Sequence, residues 1–361
     1  MEFPGVAEDI HVFANPPFAM PKKGITRRFG PGICYAGMIV PKDNETIVFE
    51  PGSYVYGCVF LSDVKGVKIV GRGVLDSSKM FRTVGDQRVL DNQMQNLRFG
   101  KGRWEENGSA FTALGAEDLY VDGITMVDSP FWTLILRDCR NTIIQNVKIV
   151  GQWRYNADGI DVCDSQDTII RDSFIRSFDD CIVARGAQLE SEFSVLDGLL
   201  VENCVLWCDW GKNLEVWGGG RSGAIRNVIY RGNACIETAH VVADVTVKGG
   251  AESISYENIL VEGVEVDVVR PLMRPQLQRR ENPREAYRGG ERTVIDLAVV
   301  ACYPGVTSGC NVRLNDIKMK NFRVYGNHDV ALRVRADKTK PGFVLSGISF
   351  DGLPERTEVY Q

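Results

Sequence analysis

Three aspartates are spaced so that a fold of matching period would bring them together. Asp158 stands in Asn156-Ala157-Asp158-Gly159-Ile160-Asp161, and Asp179 and Asp180 stand in Phe178-Asp179-Asp180-Cys181, 21 and 22 residues further on. Each motif follows an apolar run with strand-like alternation, and both lie in a loose repeat of similar length. If one repeat is one turn of a coiled β-solenoid, Asp158 lies about one strand spacing, ~5 Å, from the Asp pair. Carboxylates that close repel one another, which splits their pKa values and suits acid–base work better than packing. Taken singly, each motif has a plainer meaning. Asn-x-Asp-Gly is ordinary corner chemistry, and Asp179-Asp180 could be a pair of exposed turn carboxylates. Neighbouring side chains of a strand alternate faces, so Asp179 and Asp180 reach one cleft together only if the chain bends there.

The elements that would position them repeat along the chain. Between about residues 117 and 265, alternating runs recur around Asp122, Asn146, Asp172, Asn203, Gly232 and Asn258, spaced 24, 26, 31, 29 and 26 residues apart. Each copy is an apolar-x-apolar run, a residue that tolerates a left-handed corner, and a second alternating run. Helical periodicity is nearly absent. The expected fold is therefore all-β, a parallel β-helix of short strands. Similar units at Gly66–Asp76, Ile317–Val324 and Ile348–Gly352 extend the solenoid to about residues 45–353. Residues 1–45, with Pro-rich punctuation, are expected to form an N-terminal cap or short β segment over the open first coil. Residues 46–361 are expected to form the β-helix domain. Within it, residues 267–294 carry seven arginines and three prolines without a strand pattern and are expected to be an inserted loop, solvated or serving as a lid or subunit contact.

Composition narrows the partners. The 361 residues are 44% apolar and 25% charged with a net charge of −5, which argues against nucleic acid or an anionic membrane as the main partner. No apolar run is long enough to span a membrane and no signal-like segment opens the chain. A cytoplasmic location is expected, or a secreted or periplasmic one if a leader has been removed. Ten cysteines and three histidines form no Cys-x-x-Cys or other zinc-binding spacing, so no metal is expected, and the cysteines read as small buried hydrophobes. Aromatic residues gather near the aspartates: Phe131, Trp132, Trp153, Tyr155, Trp207, Trp210 and Trp217. Flat rings next to polar residues suit the faces of sugars. Trp153, Tyr155, Trp210 and Trp217 are candidates of this kind, whereas Trp207, in Val-Leu-Trp, is expected inside the coil. Asp161, Lys212, Glu215, Arg185 and His240 are candidate hydroxyl ligands or ordinary solvated or corner residues.

With these motifs assembled, the chain resembles the β-helical inverting glycoside hydrolases. Asn156-Ala-Asp158-Gly159 followed by Asp179-Asp180-Cys181 resembles the polygalacturonase family, family 28. Phe29–Tyr35, Glu50–Gly57, Gly71–Leu75 and Trp153-Arg-Tyr are similar to the dextranase and isopullulanase family, family 49. The resemblance covers about residues 25–265 and implies a right-handed coil and a carbohydrate substrate, with no metal or organic cofactor. It also implies Asp179 as general acid, with Asp158 and Asp180 holding and deprotonating water, and inversion of configuration. The chain departs from polygalacturonases in two places. Their Gly-His-Gly is replaced by the stretch Trp210–Trp217 without a histidine, and His240-Val-Val-Ala-Asp244-Val falls where they carry Arg-Ile-Lys. The cationic clamp for a uronate is thus missing, and a neutral glycan is expected. A uronate-acting hydrolase, lyase or epimerase, and a non-catalytic glycan-binding solenoid, are the rival readings. A homo-oligomer is compatible with all of them.

Overall fold

The computed structural model describes residues 11–17, 20–21, 23–80, 109–154, 156–186, 193–218, 222–238, 241–247, 253–267, 293–299, 311–325, 330–336, 344–347, 349–351 and 357–360. Its strands, numbered in chain order, run from β1 (Arg27–Phe29) to β31 (Thr357–Tyr360), and among the described residues there is no helix. None is therefore long and apolar enough to cross a membrane.

The strands stack in three rows that wind as a right-handed parallel β-helix. The first row includes β11 (Arg140–Gln145), β14 (Gln166–Arg171), β17 (Ser194–Glu202) and β20 (Ser222–Arg231). The second includes β12 (Lys148–Val150), β15 (Phe174–Ser177) and β18 (Val205–Cys208). The third includes β10 (Leu134–Arg137), β13 (Ile160–Cys163), β16 (Ile182–Gly186), β19 (Lys212–Gly218) and β22 (Val241–Val247). Pairing is parallel and largely in register, for example Ile160↔Ile182 and Ile182↔Leu214. Because side chains alternate, one half of each row points inward and builds a continuous core of Ile, Leu and Val with Cys139, Cys181, Cys204, Cys208 and Cys235. The described cysteines are free thiols, and Cys302 and Cys310 lie outside the described residues.

Corners explain the repeat's polar anchors, with a first correction in two places: Asp122 ends its strand and Gly123 takes the corner, and Asn258 lies elsewhere. Asn146, Asp172 and Asn203 have φ of 53°, 52° and 55°, and Gly123, Gly232 and Gly263 occupy equivalent corners at positive φ. Asn258 does not belong to this column. It pairs through its side chain with Asn227 (2.8 Å), in a second left-handed column that interrupts the first-row strands and includes Asn141, Asp167 and Gly198. Each coil thus has two left-handed positions on one sheet, and the sequence alignment merged them. Trp207 is the second correction. Leu206 takes the inward position, and Trp207 faces out, donating its Nε1–H to Asp209 Oδ1 (2.9 Å) beneath the Arg176 guanidinium.

β1 and β2 (Gly32–Ile39) lie in the segment expected as a cap and pair in parallel with β3 (Thr46–Phe49) and β4 (Ser53–Ser62), forming the first described coil. Residues 11–17 lie across the second row, with Phe13 against Phe174 and His11 against Phe174, Arg176 and Trp207. Of the proposed 267–294 loop, residues 268–292 lie outside the described residues.

Candidate active site

The corner between the second and third rows carries the aspartates. Asp158 lies in the turn from β12 to β13, Asp179 and Asp180 in the turn from β15 to β16, and Trp210 and Gly211 in the turn from β18 to β19. Backbone bonds stack these turns: Gly159 N–H donates to Asp180 O (2.8 Å), Asp179 N–H to Ala157 O (3.3 Å) and Gly211 N–H to Phe178 O (3.3 Å). Leaving the strand at Phe178 is what frees both aspartates from alternation. A Cβ at Gly211 would lie 2.5 Å from Asp179 Oδ1 and 2.6 Å from Asp180 Oδ1, so both carboxyls close over this glycine.

Outward positions of the third row supply the rest. Register aligns Asp161 with Val183, Val183 with Glu215, and Glu215 with Asp244, one per strand from β13 to β22. Arg185 and Trp217 follow two residues along. Arg185 Nη2 donates to Asp158 Oδ2 (3.0 Å) and Nε to Asp161 Oδ1 (2.5 Å), with Asp180 Oδ2 4.0 Å from Nη2. Lys212 donates through Nζ to Glu215 Oε1 and forms an ion pair with Asp244 Oδ2 (3.0 Å), and its backbone N–H donates to Asp180 Oδ1 (2.8 Å). Asn156 Nδ2 reaches Asp179 Oδ2 at 3.5 Å. Six carboxyls from four coils therefore gather around two cations, and all are buried, from Asp161 at 0% exposure to Asp180 at 8%.

Burial and mutual repulsion divide the acids. Asp158 is pushed well above the usual carboxylate range by burial, then by Asp161, Asp179 and Asp180. Burial likewise raises Asp161 to about 6 against the opposing pull of Arg185. Glu215 is pushed up to about 8 by burial and the charge of Asp180. Asp180 goes the other way: burial opposes ionisation, but Lys212 and Arg185 outweigh it and hold the group below its ordinary value. The site thus keeps protonated carboxyls beside an ionised one near neutrality, the condition for paired acid–base work.

Glu215 gives a test of this division. Its carboxyl holds a proton in the fold between pH 4.5 and about 8, where the unfolded chain has released it, so folding stability from this group falls as pH rises through that window. Wild-type stability should drop by a few kcal/mol, at order of magnitude, from pH 5 to 8.5. Glu215→Gln, which mimics the protonated form, should flatten the decline. Urea titrations of both proteins at several pH values measure it, and equal slopes would refute the assignment.

The sequence candidates distribute as follows. Asp158, Asp161, Asp179, Asp180, Lys212 and Glu215 meet in one cluster, where the half-buried Lys212 donates to the buried Glu215 instead of both being solvated. Trp217 lies against Arg185 (4.9 Å), and Trp210 stacks on Phe178 (6.0 Å) beside the Asp179 turn. Trp153 stands one coil upstream, its Nε1–H donated to Asp128 Oδ1 at 2.9 Å. Tyr155 and His240 lie outside the described residues. Sequence reasoning passed over Asp244 as a site residue and Arg185 as its centre. The register offset from Asp161 and Glu215 was the available signal for Asp244. Among the described residues no group of His, Cys, Asp and Glu has the arrangement to hold a metal ion.

A parallel β-helix with a buried carboxyl cluster at one corner defines a carbohydrate-active class of solenoid. Residues 57–270 match the model of glycosyl hydrolases family 28, and the chain belongs to that family. It is 24% identical over 255 residues to a probable polygalacturonase of Arabidopsis thaliana, covering 64% of this chain and 53% of that one. It is 23% identical over 263 residues to a dextranase of Arthrobacter globiformis, covering 63% and 37%. The chain spans about half the length of the curated relatives it matches. An exopolygalacturonase from Thermotoga maritima shares the fold with a TM-score of 0.60 at 16% identity, covering 91% of this chain and 80% of that one. Dex49A from Penicillium minioluteum gives 0.51 at 15% identity, covering 89% and 59%.

Proposed function

We propose that the chain is an inverting glycoside hydrolase that cleaves a neutral poly- or oligosaccharide. The observation that carries this reading is the meeting of Asp158, Asp179 and Asp180 on adjacent coils, with Asp180 held ionised while Asp158 is pushed up. Asp179 gives its proton to the glycosidic oxygen as the bond from the anomeric carbon breaks. Water held by Asp158 and Asp180 attacks that carbon from the opposite face and loses its proton to Asp180. The hemiacetal formed has inverted configuration, and both carboxyls return by exchange with solvent.

The charge of the site supports a neutral substrate. Arg185 and Lys212 are both held by carboxylates, and three buried acceptor oxygens, Asp158 Oδ1, Asp161 Oδ2 and Asp244 Oδ1, have no donor. Sugar hydroxyls supply such donors, whereas a uronate carboxylate supplies only further acceptors and negative charge. The names of several relatives favour the uronate reading, so the test must include both classes. A panel of neutral and uronic oligosaccharides, with NMR of the first-formed anomer, decides it. Neutral substrates should be turned over at least tenfold faster and yield the inverted anomer. Equal rates on polygalacturonate would overturn the substrate class. A retained anomer would make one aspartate a nucleophile.

A further inference from the structure

We propose that Arg185 is the positioning residue of this site: its guanidinium orients Asp158 and Asp161 and sets a fixed positive charge beside Asp180. The inference rests on the reading of Asp158 and Asp180 given above. Arg185 is buried on β16, and its planar group packs against two indoles, with Cζ 4.3 Å from the Trp132 ring and 4.9 Å from the Trp217 ring. The rings replace water over its faces, so its strong hydrogen bonds leave by the edge. Nε takes Asp161 Oδ1 and Nη2 takes Asp158 Oδ2, with Asp180 Oδ2 next to the same nitrogen. One rigid fork therefore fixes two carboxyls of one coil beside the Asp180 carboxylate of the next, and leaves the second oxygen of Asp158 and of Asp161 undonated. A flexible ammonium lacks both the fixed fork and the plane that packs on the indoles, so lysine does not reproduce this.

The charged groups around Arg185 come from every neighbouring strand. Arg137 on β10 acts on Asp161, and Asp158 and Asp161 belong to the β13 coil. Asp179 and Asp180 precede β16, and Glu215 and Lys212 stand on β19, with Asp244 beyond them on β22. Removing the guanidinium leaves Lys212 as the cation nearest Asp180 and none bonded to Asp158. Asp180, the ionised carboxylate, then gains a proton more readily, and the acid limb of the pH–rate profile moves to higher pH.

The experiment compares wild type with Arg185→Ala, Arg185→Gln and Arg185→Lys. Turnover on the best panel substrate should fall on the order of 10²-fold in each, with KM changed much less. The acid limb of kcat/KM should rise in the Ala and Gln proteins. Guanidinium chloride at tens of millimolar should restore rate and limb to Arg185→Ala, and ammonium chloride at equal ionic strength should not. An unmoved limb with no guanidinium rescue would reduce Arg185 to packing and overturn the proposal. Carboxyl 13C titration of wild type and Arg185→Gln reads the same effect without turnover. Aspartate midpoints that rise in the variant uphold the positioning role even if no glycan is cleaved, and unchanged midpoints refute it. If Arg185→Ala does not fold, the uncharged Gln protein carries the acid-limb and 13C readouts.

Discussion

Asp179→Asn should lower turnover by about 10²–10⁴ while leaving the β-helix folded, because an amide of the same shape has no proton to give the departing sugar oxygen. The environment makes the test clean. Asp179 is 6% exposed at a corner between strands, so it contributes nothing to the core rows and no strand pairing depends on its charge. Its neighbours separate the roles further. Asp180→Asn should be comparably severe, since the ionised member of the cluster is the natural acceptor of the water's proton. The two variants should differ in how they respond to the leaving group. With Asp179 replaced, substrates whose leaving group needs no protonation, such as a dinitrophenyl glycoside, should recover much of the rate, and with Asp180 replaced they should not. Azide should act in the opposite sense, replacing activated water in Asp180→Asn alone. Activity of Asp179→Asn within tenfold of wild type on a natural glycan would refute the general-acid role.

Much of this architecture was legible because a solenoid writes its period into the chain. Corner residues such as Asn146, Asp172 and Asn203 mark the coils, and Asp158 with Asp179-Asp180 could be superposed once that period was known. Two features resisted. Each coil has two left-handed positions, and Asn258 satisfied the wrong one because asparagine serves either equally well. Inside-outside parity was also uncertain in strands of three or four residues. Trp207 reads as core in sequence, but its indole packs against Arg176 and His11. Ion pairs were harder still. Arg185 and Asp161 are 24 residues apart, and Lys212 and Asp244 meet across β19 and β22. Such partners follow from register between coils of unequal length, which spacing along the chain does not reveal. A charge that looks solvated in sequence can therefore be the buried centre of a site.

Register also makes a glycine the most sensitive residue of this site without charge. A Cβ at Gly211 would stand 2.5 Å from Asp179 Oδ1, 2.6 Å from Asp180 Oδ1 and 2.7 Å from the Asp180 backbone nitrogen, all closer than real Cβ atoms approach. Two of these atoms belong to the proposed acid and base, and the third to the backbone that carries them. Relief must therefore come from turning both carboxyls away or from shifting the turn. The strands on either side, β15 and β16 against β18 and β19, are locked by parallel pairing through Cys208 and Leu214, so the displacement stays in the corner. Gly211→Ala should lose turnover on the order of 10²-fold or more, because misplacement of about 1 Å is enough for such a loss. Destabilisation should be modest beside this, on the order of 1–3 kcal/mol for an overpacked position. Gly159 offers the contrast. A Cβ there would meet the Cys181 carbonyl and the core side chain of Ile175, so Gly159→Ala should damage stability first. Thermal melts and single-turnover rates on both variants separate the two cases. Near-wild-type rates in folded Gly211→Ala would mean that Asp179 and Asp180 do not act from the positions they hold here.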